Sequence, residues 1–167
     1  PNTVQEPTAG FLRISKDTEH GECRSFIRFT DLPYFMPSNM VTKAYLRLQL
    51  TRQVGAVDVP VYLKEVMEYW AADTITWNNQ PVLSEGDIDV EVMESGSAIG
   101  SIAEYDVSNS VRKWYEEGNF GLALLTKENA TPNLVEFGSS DNATYKPVVL
   151  INYVSFAGIQ PQFAYDV

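Results

Sequence analysis

The stretch Lys43-Ala44-Tyr45-Leu46-Arg47-Leu48-Gln49-Leu50-Thr51 decides how the rest of the chain is read. Ala44, Leu46, Leu48 and Leu50 fall on one side of an extended backbone and Lys43, Arg47, Gln49 and Thr51 on the other, the two-residue period of a strand with one buried face. The same alternation recurs further along. Val57, Val59, Val61 and Leu63 stand against Asp58 and Lys64, and Ile88, Val90 and Val92 against an outward row of Asp87, Asp89 and Glu91. Pro60 has no N–H for a ladder, so its strand is expected at a sheet edge or with a bulge there.

Further strands are expected at Phe11–Ser15, Cys23–Phe29, Ile102–Tyr105, Gly121–Thr126, Leu134–Phe137 and Val148–Tyr153, parted by clusters of Gly, Pro, Asn, Asp and Ser. About nine short strands with little helix imply an all-β fold, an antiparallel β-sandwich. One segment breaks the period. Val107, Val111, Trp114 and Tyr115 recur at helical spacing, which predicts a short capping helix over about residues 107–117 at one end of the sandwich. The Asp106 carboxylate is placed to accept from the free amides of its first turn, and Gly118 supplies the left-handed residue that ends it.

A length of 167 residues suits one domain with a sizeable core, and 44% apolar with 20% charged residues excludes a disordered or collagen-like chain. The net charge of -10, with 12 Lys and Arg spread along the chain, argues against nucleic acid and against an anionic membrane surface. No apolar run approaches the roughly 20 residues of a membrane helix, and no leader-like segment opens the chain, which reads as a soluble piece of something longer. Residues 1–153 are read as the sandwich module. Residues 154–167, where Gly158 and Pro161 sit among scattered aromatics, are read as a connection toward a following domain.

Cys23 is the one cysteine, so neither an internal disulfide nor a thiolate metal cluster can form, and its phase with Ile27 and Phe29 predicts a buried, inert thiol. His20 is the one imidazole and lies in the polar turn Lys16–Glu22, where a solvated loop histidine is expected rather than a catalytic base. With 22 acidic residues, some pair always lies at a glycosidase-like separation, so carboxylate pairing carries no diagnostic weight. An enzyme would need a cleft of convergent groups with shifted pKa values, and no motif points to one. Asp87, Asp89 and Asp141 are candidate oxygen ligands for a structural calcium ion, weighed against an ordinary charged face; no other cofactor is indicated.

An ordered set of motifs spans most of the chain. It runs through Arg24-Ser25-Phe26-Ile27-Arg28-Phe29, Asp31-Leu32-Pro33 and Ala44-Tyr45-Leu46-Arg47-Leu48, then the segment from Trp70 through Trp77 to Pro81. Tyr105-Asp106-Val107-Ser108 follows with Val111 and Trp114, then Asn119-Phe120-Gly121, Ser139-Ser140-Asp141, Lys146-Pro147 and a closing Tyr153. This order resembles the DNRLRE-type domain. The resemblance implies a jelly-roll-like sandwich from a secreted bacterial or archaeal protein, of the kind found in YD-repeat (RHS-type) wall-associated proteins and polysaccharide-degrading enzymes, and a branch of the family is classed as carbohydrate-binding modules. The tail Tyr153–Val167, with Gly158 and Tyr165, is similar to the segment that follows this domain in YD-repeat proteins. Two departures stand out: Ala72 where many members carry Glu, and residues 1–10 reading as the loop after the family's first strand, so that strand is expected to be missing here.

Trp70, Trp77 and Trp114 could stack on a sugar, but each sits in a family-wide motif where a core or loop-anchoring role is expected. Aromatics outside the strand period are the better ligand contacts: Tyr34 and Phe35 in the Pro33–Asn39 loop, Tyr69 before the Trp70 turn, and Tyr145 after the Asp141 loop. The expected function is a non-catalytic carbohydrate- or cell-wall-binding module of a larger secreted bacterial surface protein. The partners would be a polysaccharide and neighbouring domains of the parent chain, without nucleic acid or membrane insertion. The alternative is a purely structural spacer or interaction domain.

Overall fold

The computed structural model describes residues 9–33, 37–129, 132–155, 158–159 and 163–166. In chain order the strands are β1 (Phe11–Asp17), β2 (Gly21–Cys23), β3 (Ser25–Ile27), β4 (Val41–Val54), β5 (Val59–Glu65), β6 (Asp89–Met93), β7 (Ile102–Asp106), β8 (Leu122–Leu125), β9 (Leu134–Gly138), β10 (Val148–Ser155), β11 (Gly158–Ile159) and β12 (Phe163–Asp166), with helix α1 (Ser108–Glu116) between β7 and β8. They form two antiparallel sheets. The larger runs β11-β10-β4-β9-β1-β2, with β7 also on β4 and β12 also on β10; the smaller runs β3-β8-β5-β6. The chain is therefore an all-β sandwich, as the alternation predicts.

Strand β4 pairs with β10, β7 and β9, and its inward residues Ala44, Leu46, Leu48 and Leu50 are fully buried. Opposite them lie Val59, Val61 and Leu63 of β5 and Leu122 and Leu124 of β8, with Val135 and Phe137 of β9 in the same core. Tyr105 of β7 points inward as well, and its hydroxyl donates to the Val61 carbonyl at 3.2 Å, a hydrogen bond between the two sheets. Burial pushes that phenol well above its usual pKa, so it stays a donor.

Three expectations need correction. The Cys23–Phe29 strand divides at Arg24, with β2 in the large sheet and β3 in the small one, so Cys23 is half-buried, its Sγ 3.8 Å from the His20 carbonyl. Pro60 is not on an edge strand, since β5 lies between β8 and β6. However, β8 pairs only from Tyr62 onward, so at Pro60 one side of the strand is open and no donor is missed. Strand β6 has the opposite phase to that predicted: Met93 is buried opposite Val59, Glu91 faces the same side opposite Val61, and Val90 and Val92 are exposed. The physical reason is that β6 is an edge strand beside β7, and the Asp89 carboxylate accepts the Asp106 N–H at 2.8 Å across the seam between the sheets. The capping helix lies where the spacing predicts it, over Ser108–Glu116 with Val107 and Glu117 as its flanking residues. Its first-turn amide at Ser108 donates to Asp106 Oδ1 at 3.0 Å, and Gly118 follows its end at φ +106. Within 154–167, β12 lies antiparallel on β10, from Val148 opposite Asp166 to Ile151 opposite Phe163.

At the other end of the sandwich, the fully buried Asp17 side chain organises the β1–β2 turn. It accepts from the backbone amides of Glu19 at 2.9 Å and Asn133 at 2.7 Å, and from the His20 amide and ring. Burial alone would raise its pKa, but these hydrogen bonds outweigh it and hold the carboxyl at about 2.

A group whose pKa falls on folding stabilises above its unfolded value and loses that contribution as pH drops through the folded value. Asp17 should therefore contribute about 2 kcal/mol at neutral pH, lost between about pH 4 and pH 2, and Asp17→Asn should flatten the Tm-versus-pH profile in that window. Phe137→Ala should cost about 3–5 kcal/mol in denaturant unfolding, because its cavity lies between two rigid sheets.

Candidate functional site

On β3 the side chains that point away from the core are every second residue, so Phe26 shares the outward face of the small sheet with Ala123, opposite it on β8. Arg24 and Arg28, two residues to either side of Phe26, extend that row. Chain 66–83 leaves the end of β5 and returns through a bridge between Val66 and Leu83 and a bond from the Met67 N–H to the Val82 carbonyl at 2.9 Å. Its shape is held from within. Thr76 and Asn79 form a reciprocal capping box, Asn79 Nδ2 donates to the Thr74 carbonyl at 2.9 Å, and Gln80 Nε2 donates to the Trp77 carbonyl at 3.1 Å.

This excursion is pinned to the Arg24, Phe26, Arg28 row. The Arg24 guanidinium lies 4.9 Å from the Trp77 ring centroid and donates to Gln80 Oε1 at 3.1 Å. Phe26 meets the Trp70 ring at 5.6 Å between centroids. Arg28 sits 5.4 Å from Trp70 and 5.3 Å from Tyr69, and donates to the Trp70 carbonyl at 3.3 Å. The Trp70 indole N–H is itself engaged, donating to the Phe120 carbonyl at 2.7 Å. Each cation–aromatic contact is worth about 0.5–1 kcal/mol at a partly exposed site. Trp70 and Trp77 thus anchor the excursion, and Trp114 packs from α1 onto Phe29 with ring centroids 6.4 Å apart.

What the anchors leave open is a ring. Tyr69 is 71% exposed, and Met67 (52%), Val82 (61%) and Phe120 (37%) are exposed in the same part of the chain fold. Further along the small sheet's outer face, the Lys127 ammonium lies 4.0 Å from the Tyr62 ring centroid.

The other candidate residues lie elsewhere. Tyr34 and Phe35 fall outside the described residues. Tyr145 lies in the loop between β9 and β10: its N–H donates to Asn142 Oδ1 at 2.8 Å, and a Cβ on Gly100 would lie 3.5 Å from its hydroxyl. Asp141 is exposed in the loop after β9, its N–H donating to Ser139 Oγ at 3.2 Å. Asp87 is clasped by Lys64 at 3.2 Å and Lys127 at 2.6 Å; burial raises its pKa, but the two ammonium groups bring it below the ordinary value. Asp87 and Asp89 line one cleft that Asp141 does not reach. Among the described residues, no group of three or more His, Cys, Asp or Glu side chains is placed to hold a metal ion. His20 is bound to Asp17 as part of the turn.

Sequence reasoning singled out Tyr69 but not Arg24 and Arg28. The available signal was their alternation around Phe26, which on a strand puts all three side chains on one face. Against protein-family models, residues 8–153 match carbohydrate-binding module family 96. Among curated proteins none matches the chain.

Trp77→Ala removes the ring beneath Arg24, and amides of residues 70–82 should then exchange with solvent about fivefold faster in hydrogen-exchange mass spectrometry, while those of β4 keep their protection.

Proposed function

The chain belongs to carbohydrate-binding module family 96, and from that membership we propose that it is a non-catalytic module that docks a polysaccharide on the aromatic face around Tyr69. The observation that carries this reading is the Tyr69 ring, backed by Arg28 and 71% exposed on a loop fixed by Trp70 and Trp77. An aromatic face packs against the C–H face of a pyranose, and a guanidinium has five N–H donors, of which Arg28 directs one to the Trp70 carbonyl. Ring and donor are held before the ligand arrives, so little ordering entropy is lost on binding.

The motif order supports placing the module in a larger secreted bacterial surface protein of the YD-repeat type, with a wall glycan as its ligand. In that arrangement residues 1–153 are the module, and 154–167 lead toward the next domain. Tyr34, Phe35 and Tyr145 are further ligand contacts in this reading, and calcium at Asp87, Asp89 or Asp141 is the metal to test. A spacer role is the second reading. It is favoured by the outer face of the large sheet, where Lys43–Asp106, Arg47–Glu104 and Arg13–Glu136 pair off charge against charge.

A glycan array with the purified domain, run in calcium and again in chelator, tests the proposal. Saturable binding to a defined sugar set is expected, with Tyr69→Ala weakening it about tenfold or more. Loss of binding in chelator alone would assign the aspartates a metal. An array blank in both conditions would sink the module reading in favour of the spacer.

A further inference from the structure

The cleft lined by Asp87 and Asp89 lies at the helix end of the sandwich, with a volume of about 610 Å³ and a mouth open to solvent. Lys43 at the start of β4, Glu65 at the end of β5, the 84–89 turn and the β7–α1 junction converge on it. Its lining has no aromatic ring; apart from Ile88 and Gly86 it is built of hydroxyl, amide, carboxylate and cationic side chains.

Those side chains are fixed by one another. Lys43 Nζ binds Asp106 Oδ2 at 2.8 Å, Lys113 Nζ binds Glu65 Oε2 at 2.8 Å, and Ser110 Oγ donates to Glu65 Oε1 at 3.0 Å. Arg112 donates to the Val41 and Thr42 carbonyls at 3.0 and 2.8 Å and to Asn109 Oδ1 at 2.9 Å. Pairing does not exhaust them. An ammonium has three N–H donors and each carboxylate oxygen two lone pairs, so Lys43, Lys113, Asp106 and Glu65 all keep hydrogen-bonding capacity, and the Asn109 amide nitrogen adds two donors.

The charge pattern selects the ligand class. A free anion would compete with Asp106 for Lys43 and with Glu65 for Lys113, and a free cation would compete with those same ammonium groups for the carboxylates. A hydroxyl both donates and accepts, and can sit between a lysine and its carboxylate without separating them. Adjacent hydroxyls on a ring repeat that arrangement along the cleft wall.

We infer that this cleft is a second carbohydrate site, reading the hydroxyls of a neutral mono- or disaccharide by hydrogen bonding, separate from the stacking face at Tyr69. The inference rests on the proposal that the domain binds carbohydrate, but not on which surface carries it. The Tyr69 face belongs to β3 and the 66–83 excursion, whereas the cleft is lined from the start of β4, the end of β5, the 84–89 turn and the β7–α1 junction.

The test is an NMR amide titration of the intact domain with glucose, galactose, mannose, cellobiose and maltose, on the wild type and on Tyr69→Ala, Asn109→Ala and Lys113→Met. Asn109 and Lys113 are exposed on α1, so their variants should fold as the parent does. Saturable shifts at Ser84, Asp87 and residues 106–113 are expected, unchanged in Tyr69→Ala and weakened about fivefold or more in the two helix variants. Shifts confined to residues 66–83 and abolished by Tyr69→Ala would overturn the second site while leaving the stacking face intact. Cleft shifts that both helix variants leave untouched would also overturn it, and silence from all five sugars in every variant would count against both sites together.

Discussion

Ala44, Leu46, Leu48 and Leu50 can leave water only if another layer covers them, and the two edges of β4 must at the same time find backbone partners. The large sheet meets the second demand with β10, β9 and β7, and the small sheet meets the first with β5 and β8. The same strand sets the position of α1. Its first-turn residue Ser108 holds the Ala44 N–H through Oγ at 2.9 Å, and the Val107 N–H returns to the Ala44 carbonyl at 2.9 Å. Val107 and Val111 are then fully buried, and the polar residues between and after them are turned toward the cleft at that end.

The 66–83 excursion obeys a different constraint. It contributes almost nothing to the core beyond Val66 and Pro81, so hydrophobic burial does not fix it. It is fixed by stacking on a single row of side chains, and that row exists because the chain crosses from the large sheet to the small one at Arg24. Had β2 and β3 stayed one strand in the large sheet, the Arg24, Phe26, Arg28 row would not face Trp70 and Trp77.

Much of the fold was legible because the leucine and valine alternation in β4 and β5 is unambiguous, and the helical spacing around Val111 is equally plain. The phase of β6 was not legible. Its sequence alternates as cleanly as β4, but the exposed set is Val90 and Val92, since an edge strand beside a second edge strand can turn carboxylates toward the seam and give them backbone N–H partners there. Periodicity fixes that two faces differ; which face is inward depends on neighbours far away in sequence. The anchoring role expected of Trp70, Trp77 and Trp114 agrees with their contacts, whereas Arg24 and Arg28 were hidden inside a strand pattern and need the sheet pairing to be seen as partners of those rings.

The same separation of core from surface governs which residues can be exchanged. Residues that fill the core, such as Phe137 and Leu46, are fully buried and are answerable to packing alone. Tyr69, Met67 and Val82 are exposed on a segment whose geometry is set by Trp70 and Trp77, and the cleft side chains Asn109 and Lys113 project from a helix secured at Ser108 and Val111. Substitution at these exposed positions alters what the surface can hold without opening a cavity. A sandwich of this kind can therefore keep its core and anchors while its exposed residues change.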